Sequence, residues 1–386
     1  MNDANNPRPA PRIDRFLRLM LDRGASDFFF CVGHPPMMRL DGQIEPIRYR
    51  TLREQDFELY FGEITPTERW TAFQRSGDID FSYEISELAR FRVNLFKQHN
   101  GAGASIRIIP ARHFTFEELG LPPQTEKLTK LHWGLVLVTG PTGSGKSTTL
   151  SAMIHTINLQ SAYHVVTIEE PIEFVHPPRR SLVTQREVGR SAISYPAALR
   201  AALREDPDVI MVGDLRDRET VEMALTAAET GVLVIGTLHT NSAAKTIDRI
   251  VNLFPNEELA SVRNQLGSLL KGLLCQQLVR RKDGGRVAAF ELAFGTPALA
   301  NLIREGKTNQ IDSTIQLGKT EGMLSMDTSL LNLVRDGLVA PEAAYEKALD
   351  KGGFRNTLSR ELNVQVGRDT ATDEEMLRLV EQSSDR

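Results

Sequence analysis

The sequence predicts an α/β fold: a mainly parallel sheet with helices on both faces, preceded by a smaller mixed domain. Three observations carry this. Apolar runs at 135–139, 164–169, 209–213 and 232–238 alternate with helical or loop segments, the rhythm of a buried parallel sheet, and a fifth run covers 287–294. Between the first run and an amphipathic stretch lies G-P-T-G-S-G-K-S-T, Gly140 to Thr148. Before residue 110 the pattern changes to shorter strands with hairpin signals.

In chain order, residues 1–11 are polar and proline-rich and read as a disordered tail. The first domain, 12–110, opens with a helix marked by Ile13, Phe16, Leu17 and Met20 and ending at Gly24. Strands at 28–30 and 38–40 follow, then an Asp41-Gly42 hairpin signal, a helical region over 52–75, and strands at 78–83, 90–96 and 104–109. Residues 111–131, entered through Pro110, lack a long period and read as a linker able to act as a hinge. The core domain spans 132–297. Within it Leu259, Val262, Leu266, Leu269, Leu270, Leu273 and Leu278 predict one long helix over about 257–281. Residues 298–362 read as a helical region, and 363–386 as a polar tail with a short apolar face on Met376, Leu377 and Val380.

At 386 residues the chain has room for two or three domains. A net charge of −4 provides no overall basic field for nucleic acid or acidic lipid. Cys31 and Cys275 lie far apart and form no metal-ligand spacing, which fits reduced thiols. With no run of 18 apolar residues and no secretory signal, a cytoplasmic location without membrane insertion is expected.

Gly140, Pro141, Thr142, Gly143, Ser144, Gly145, Lys146, Ser147 and Thr148 form a complete GxxxxGKS loop between a strand and a helix, the setting of a phosphate-binding P-loop. The glycines let the backbone wrap close to a polyphosphate, and free N–H groups at the helix start point at its charge. Lys146 reaches the β- and γ-phosphates, and the Ser147 hydroxyl is the expected Mg²⁺ ligand. The expected cofactors are ATP, or at this level of reading GTP, and Mg²⁺.

Ligands of open parallel sheets bind beyond the carboxyl ends of the strands. There the chain places Glu169, Glu170 and Glu173 after the second strand and Asp214 after the third. Such carboxylates hold water on Mg²⁺, through Glu170 or Glu173, or orient the attacking water, as phosphoryl transfer requires. Asp214 and Glu173 are the catalytic candidates. His239 ends the fourth strand and reads equally as a γ-phosphate sensor or as a hydrogen-bonded strand-end histidine. Arg90 and Arg92 share one strand face, with Arg107 on a neighbouring strand. Surface arginines are common, and on the residues alone a solvated face explains them better than a set of arginine fingers acting in trans.

Taken together, several stretches resemble one family. These are GASD at 24–27, ARFRVN at 89–94, GAGA at 101–104, TIEEPIEFVH at 167–176, TQREVG at 184–189, LREDPDVIMVGDLRD at 203–217, AETG, GTLHTNSAAKTIDRIV and ALANLIREGK at 298–307. With the P-loop, they make the chain similar over about 13–360 to the type IV pilus retraction ATPases, the twitching-motility proteins of the PilT and PilU type in the secretion ATPase superfamily. The resemblance implies a hexameric ring of subunits. Each subunit has a PAS-like N-terminal domain and a RecA-like ATPase domain with ATP between them, and the ring is attached to an inner-membrane platform protein. It implies trans contacts from Arg92 and Arg107, with Arg90 as a further candidate. Glu173 falls in the family's acidic box, Asp214 at its Walker B position, and His239 in its histidine box. ALANLIREGK matches a motif tied to retraction, and the four-cysteine zinc site of many assembly ATPases is absent.

Departures from the family pattern are Asp214 for Glu, Glu170 for Asp, Val232 for the first histidine and Ala300 for Arg. They leave room for slow hydrolysis in a chain that binds ATP well. The expected function is therefore a motor that couples ATP hydrolysis to pilus retraction. The alternatives are a PilU-like accessory paralogue that assists a full motor, and the ATPase of a related secretion or DNA-uptake system.

Overall fold

The computed structural model describes residues 10–40, 43–86, 88–109 and 112–366. The chain forms two compact units, one ending at His113 and also taking in Glu170–Val175, the other made of the remaining residues from Phe114 onward.

The first unit runs α1 (Asp14–Asp22), β1 (Asp27–Cys31), β2 (Met37–Leu40), β3 (Gln43–Pro46), α2 (Glu54–Phe61), α3 (Thr67–Ser76), β4 (Asp78–Ile85), β5 (Ala89–Gln98) and β6 (Gly101–Ile109). Its strands pair antiparallel in the order β3-β2-β1-β6-β5-β4. The α1 spacing is realised: Ile13, Leu17 and Met20 are fully buried, and the Phe16 ring lies 5.7 Å from Phe28 and 5.8 Å from Phe30. Phe57, Phe61 and Phe91 complete an aromatic core, each buried ring contributing about 1.5–3 kcal/mol. Strand β5 alternates: Phe91, Val93 and Leu95 face that core, while Arg90, Arg92 and Asn94 face the other way.

The second unit runs β7 (Gly134–Thr139), α4 (Lys146–Gln160), β8 (His164–Glu169), β9 (Leu182–Glu187), α5 (Tyr195–Ala202), β10 (Val209–Val212), α6 (Arg218–Glu229), β11 (Leu233–Leu238), α7 (Ala243–Val251), α8 (Leu259–Leu269), β12 (Leu270–Arg280) and β13 (Arg286–Phe294). Then come α9 (Pro297–Glu305), α10 (Ile311–Leu317), α11 (Met326–Arg335), α12 (Pro341–Lys347) and α13 (Lys351–Leu362). The sheet order is β13-β12-β7-β11-β10-β8-β9, parallel except for the antiparallel edge strand β13. One face packs on α4 through Leu150, Met153, Ile154 and Ile157. The other packs on α5 to α8 and the later helices. Strands covered on both faces need no alternation, so β7 and β11 are buried along their whole length.

The predicted helix over 257–281 is corrected. Only its first half is helical, as α8; from Leu270 the chain is strand β12, between β7 and β13. Leucines of a strand buried on both faces also satisfy helical spacing, so periodicity could not separate the two. Gly272 marks the strand: a Cβ there would collide with the Leu128 side chain. The segment read as linker also differs. Leu121 and Leu128 are buried in the core of the second unit, and Pro123–Lys130 forms a 3₁₀ helix. Strand β9, at the sheet edge, had no counterpart in the sequence reading. The tail at 1–9, the Asp41-Gly42 signal and the apolar face at 376–380 lie outside the described residues. Among the described residues, no helix is long and apolar enough to cross a membrane.

Candidate functional site

The loop from Gly140 to Gly145 leaves β7 and enters α4, at the carboxyl end of an inner parallel strand between β12 and β11. Its shape is set by close packing. A Cβ on Gly140 would collide with the Gln276 carbonyl oxygen and the Ser144 hydroxyl. Gly145, at φ 93°, turns the chain into the helix through a left-handed conformation that costs other residues strain. Pro141, Thr142 and Gly143 are exposed at the crest, while Ser144 and Lys146 are buried below it. Ser147 and Thr148 occupy the first turn of α4, where backbone N–H groups lack intrahelical acceptors and the dipole favours an anion.

Lys146 lies along the loop. Its ammonium donates to the carbonyls of Gly140 at 2.8 Å and Pro141 at 3.1 Å, and reaches His239 Nδ1 at 3.5 Å. On the other side of that imidazole, His239 Nε2 lies 3.9 Å from Asp214 Oδ1. Lys146, the first residue of α4, therefore meets His239 and Asp214, which follow the carboxyl ends of β11 and β10. Asp214 is half-buried, and burial pushes its carboxyl pKa above the ordinary value against the pull of His239, Arg216 and Lys146. Its Oδ1 is buried without a hydrogen-bond partner. A carboxylate oxygen of that kind is placed to accept from a water or a substrate group.

Gln276 was not singled out by sequence. From β12 its amide donates to the Ser144 carbonyl at 2.6 Å and accepts from Thr149 Oγ1 at 2.8 Å, so one buried side chain braces both ends of the loop–helix junction. The available signal was a Gln-Gln pair inside an apolar run, hidden by the helical reading of that stretch.

Glu169 ends β8 and is bound by its neighbours, accepting from Thr167 Oγ1 at 2.7 Å and Gln185 Nε2 at 3.3 Å. Glu170 and Glu173 lie in the segment that belongs to the first unit. There Arg92 Nη1 approaches Glu173 at 3.7 Å and Arg92 Nε pairs with Asp80 at 3.2 Å. These are half-exposed pairs, worth about 0–1 kcal/mol each. Arg92 and Arg107 are direct cross-strand partners. Arg107 pairs with buried Asp27 at 2.8 Å, which Arg39 also approaches at 3.3 Å. Arg90 donates to Ser82 Oγ at 2.9 Å. The Ser147 hydroxyl, in the first turn of α4, is a hard oxygen and fits Mg²⁺. Among the described residues no cluster of His, Cys, Asp and Glu forms a preformed metal cage.

The family described as Type II/IV secretion system protein matches residues 64–329. The "Type IV pilus retractation ATPase PilT" of Pseudomonas aeruginosa is 49% identical over 336 residues, which cover 87% of this chain and 98% of that protein. The "Type IV pilus ATPase PilU" of the same organism is 38% identical over 362 residues, 93% of each chain. A solved structure, "Crystal Structure of the Pilus Retraction Motor PilT and Bound ADP", superposes with a TM-score of 0.81 at 43% identity, over 87% of this chain and 96% of that one.

Proposed function

We propose that this chain, which belongs to the Type II/IV secretion system protein family and within it to the type IV pilus retraction ATPases, is a hexameric motor that couples Mg²⁺-dependent ATP hydrolysis to pilus retraction. The observation that carries the reading is the meeting of Lys146, His239 and Asp214 beside a complete P-loop. The 49% identity along nearly the whole of a protein named as a retraction ATPase supports the pilus assignment.

In this reading the γ-phosphate takes the place of the Gly140 and Pro141 carbonyls as partner of the Lys146 ammonium. The N–H groups of the loop and of the first turn of α4 hold the β-phosphate. Asp214, with an unpartnered oxygen and a raised pKa, orients the attacking water and accepts its proton. His239, between Asp214 and Lys146, feels the loss of the γ-phosphate and passes it to α7. Ser147, and through water Glu170 or Glu173, would hold Mg²⁺, which would supply neutralisation of the charge that develops in phosphoryl transfer. Arg92, Arg107 and Arg90 act on the site of a neighbouring subunit, and for Arg92 this requires release of Glu173. The ring works in the cytoplasm at the base of the pilus machine, against a platform protein of the inner membrane.

A second reading, an accessory paralogue, is favoured by two observations. The PilU relative matches 93% of this chain, and Asp214 replaces the longer carboxylate of the family pattern. The two separate in a strain deleted for every retraction ATPase and supplied with this chain alone. Restored twitching, lost again with Lys146→Ala, supports the motor. Twitching that returns only when a second retraction ATPase is co-expressed supports the accessory role.

A further inference from the structure

We propose that Glu291 is a positioning residue whose carboxyl ties the start of α7, just beyond His239, to the start of α11, so that nucleotide at the P-loop is felt in the C-terminal helices. This rests on the nucleotide reading above and adds to it a route out of the site.

The route is a row of polar side chains. Thr139, the residue before the P-loop, is the cross-strand partner of Cys275 on β12, and Cys275 is the partner of Glu291 on β13. Directly paired residues share a sheet face, so the three side chains lie side by side. Thr139 Oγ1 donates to Cys275 Sγ at 3.0 Å, and the Cys275 thiol is hydrogen-bonded to the Glu291 carboxyl. Glu291 Oε1 accepts the N–H of Ala243 at 2.6 Å, and the carboxyl also accepts the N–H of Met326. Ala243 and Met326 are the first residues of α7 and α11. One buried carboxyl thus receives two helix N-termini, where dipoles favour negative charge. Thr246 of α7 closes the row, within 3.5 Å of Thr139 Oγ1 and 2.7 Å of Thr240 Oγ1. Beside it, Leu292 and Leu324 exchange backbone hydrogen bonds at 2.7 and 2.9 Å, and Phe290 N donates to Ser329 Oγ at 3.0 Å.

Packing alone does not call for a carboxyl here. Its desolvation costs several kcal/mol that an apolar side chain of similar volume avoids. Burial and nearby Asp312 push its pKa up to about 7, against the hydrogen bonds from Ala243, Cys275 and Met326. When ionised, the carboxyl supplies two acceptor oxygens and no donor, the set needed to hold two N–H groups at once. Gln keeps the shape and replaces one acceptor with an NH₂ donor. Coupling between sites is established by a measured response at both ends.

Hydrogen exchange on the full-length assembly, with and without ADP and Mg²⁺, provides that measurement. In the wild type ADP is expected to slow exchange at 146–150 and, at least about three-fold, at 324–330. In Glu291→Gln the effect at 146–150 persists, ADP affinity stays within about two-fold, and the effect at 324–330 disappears. The inference is overturned if wild-type 324–330 does not respond while 146–150 does, a result that needs no variant. It is also overturned if Glu291→Gln keeps the response, or loses ADP affinity in proportion. No response at 146–150 in the wild type would instead overturn the nucleotide reading, and this inference with it.

Discussion

On the loop side of the nucleotide site the main contacts are already made: Gln276 grips the Ser144 carbonyl and Thr149, and Lys146 is docked on two carbonyls. On the opposite side Asp214 and His239 approach each other only to 3.9 Å, and a carboxylate oxygen of Asp214 has no hydrogen-bond partner. In the proposed reading the first side is largely braced before ligand arrives, and the second is completed by substrate and water. The proposed function thus assigns binding and turnover to different residues, and substitutions should separate them.

The largest effect is expected at Lys146. Lys146→Ala removes a charge-assisted contact to phosphate and should weaken a fluorescent ATP analogue about 100-fold, with ATPase activity at background. Next comes Asp214→Asn, expected to lower kcat by about 10²–10⁴ while the affinity for the analogue stays within about three-fold. An equal loss of affinity would erase the distinction between the two sides. Gln276→Leu leaves buried groups of the loop unpaired, at about 1–3 kcal/mol, and should weaken nucleotide binding about ten-fold. A pure kcat effect there would move Gln276 to the other side of the comparison.

The smallest effect is a slope. Glu291 binds its proton with a pKa of about 7, against an ordinary 4.5. The stability gained from that proton is complete below about pH 4.5 and is lost as pH rises through 7, at about 1.4 kcal/mol per unit. Glu291→Gln does not titrate, so the Tm difference of wild type minus variant should fall between pH 5 and pH 7.5. Asp312, Asp327, Lys245 and Cys275 surround the same carboxyl or its neighbours and set the width of the transition.

The parallel strands and the P-loop were legible because both are local: an apolar run, then a fixed spacing of Gly, Lys and Ser. Strand β12 was not, since a strand buried on both faces and a leucine-rich helix share a pattern. With it went Cys275 and Gln276, whose roles exist only once β12 lies beside β7. Asp214 and His239 could be named as candidates from strand ends, but their meeting with Lys146 depends on strand order, which spacing does not encode. Arg90 and Arg92 share a face as alternation predicts, whereas the pairing of Arg92 with Glu173 joins residues far apart in sequence. Glu291 left no mark, because a single Glu in an apolar strand looks like an edge position.

The most direct test of the central claim is the steady-state Mg²⁺-ATPase rate of the purified assembly, wild type beside Asp214→Glu and Lys146→Ala. The account predicts wild-type turnover well above Lys146→Ala, with Asp214→Glu within about three-fold of wild type. A wild type no faster than Lys146→Ala, together with a gain of activity in Asp214→Glu, would contradict it.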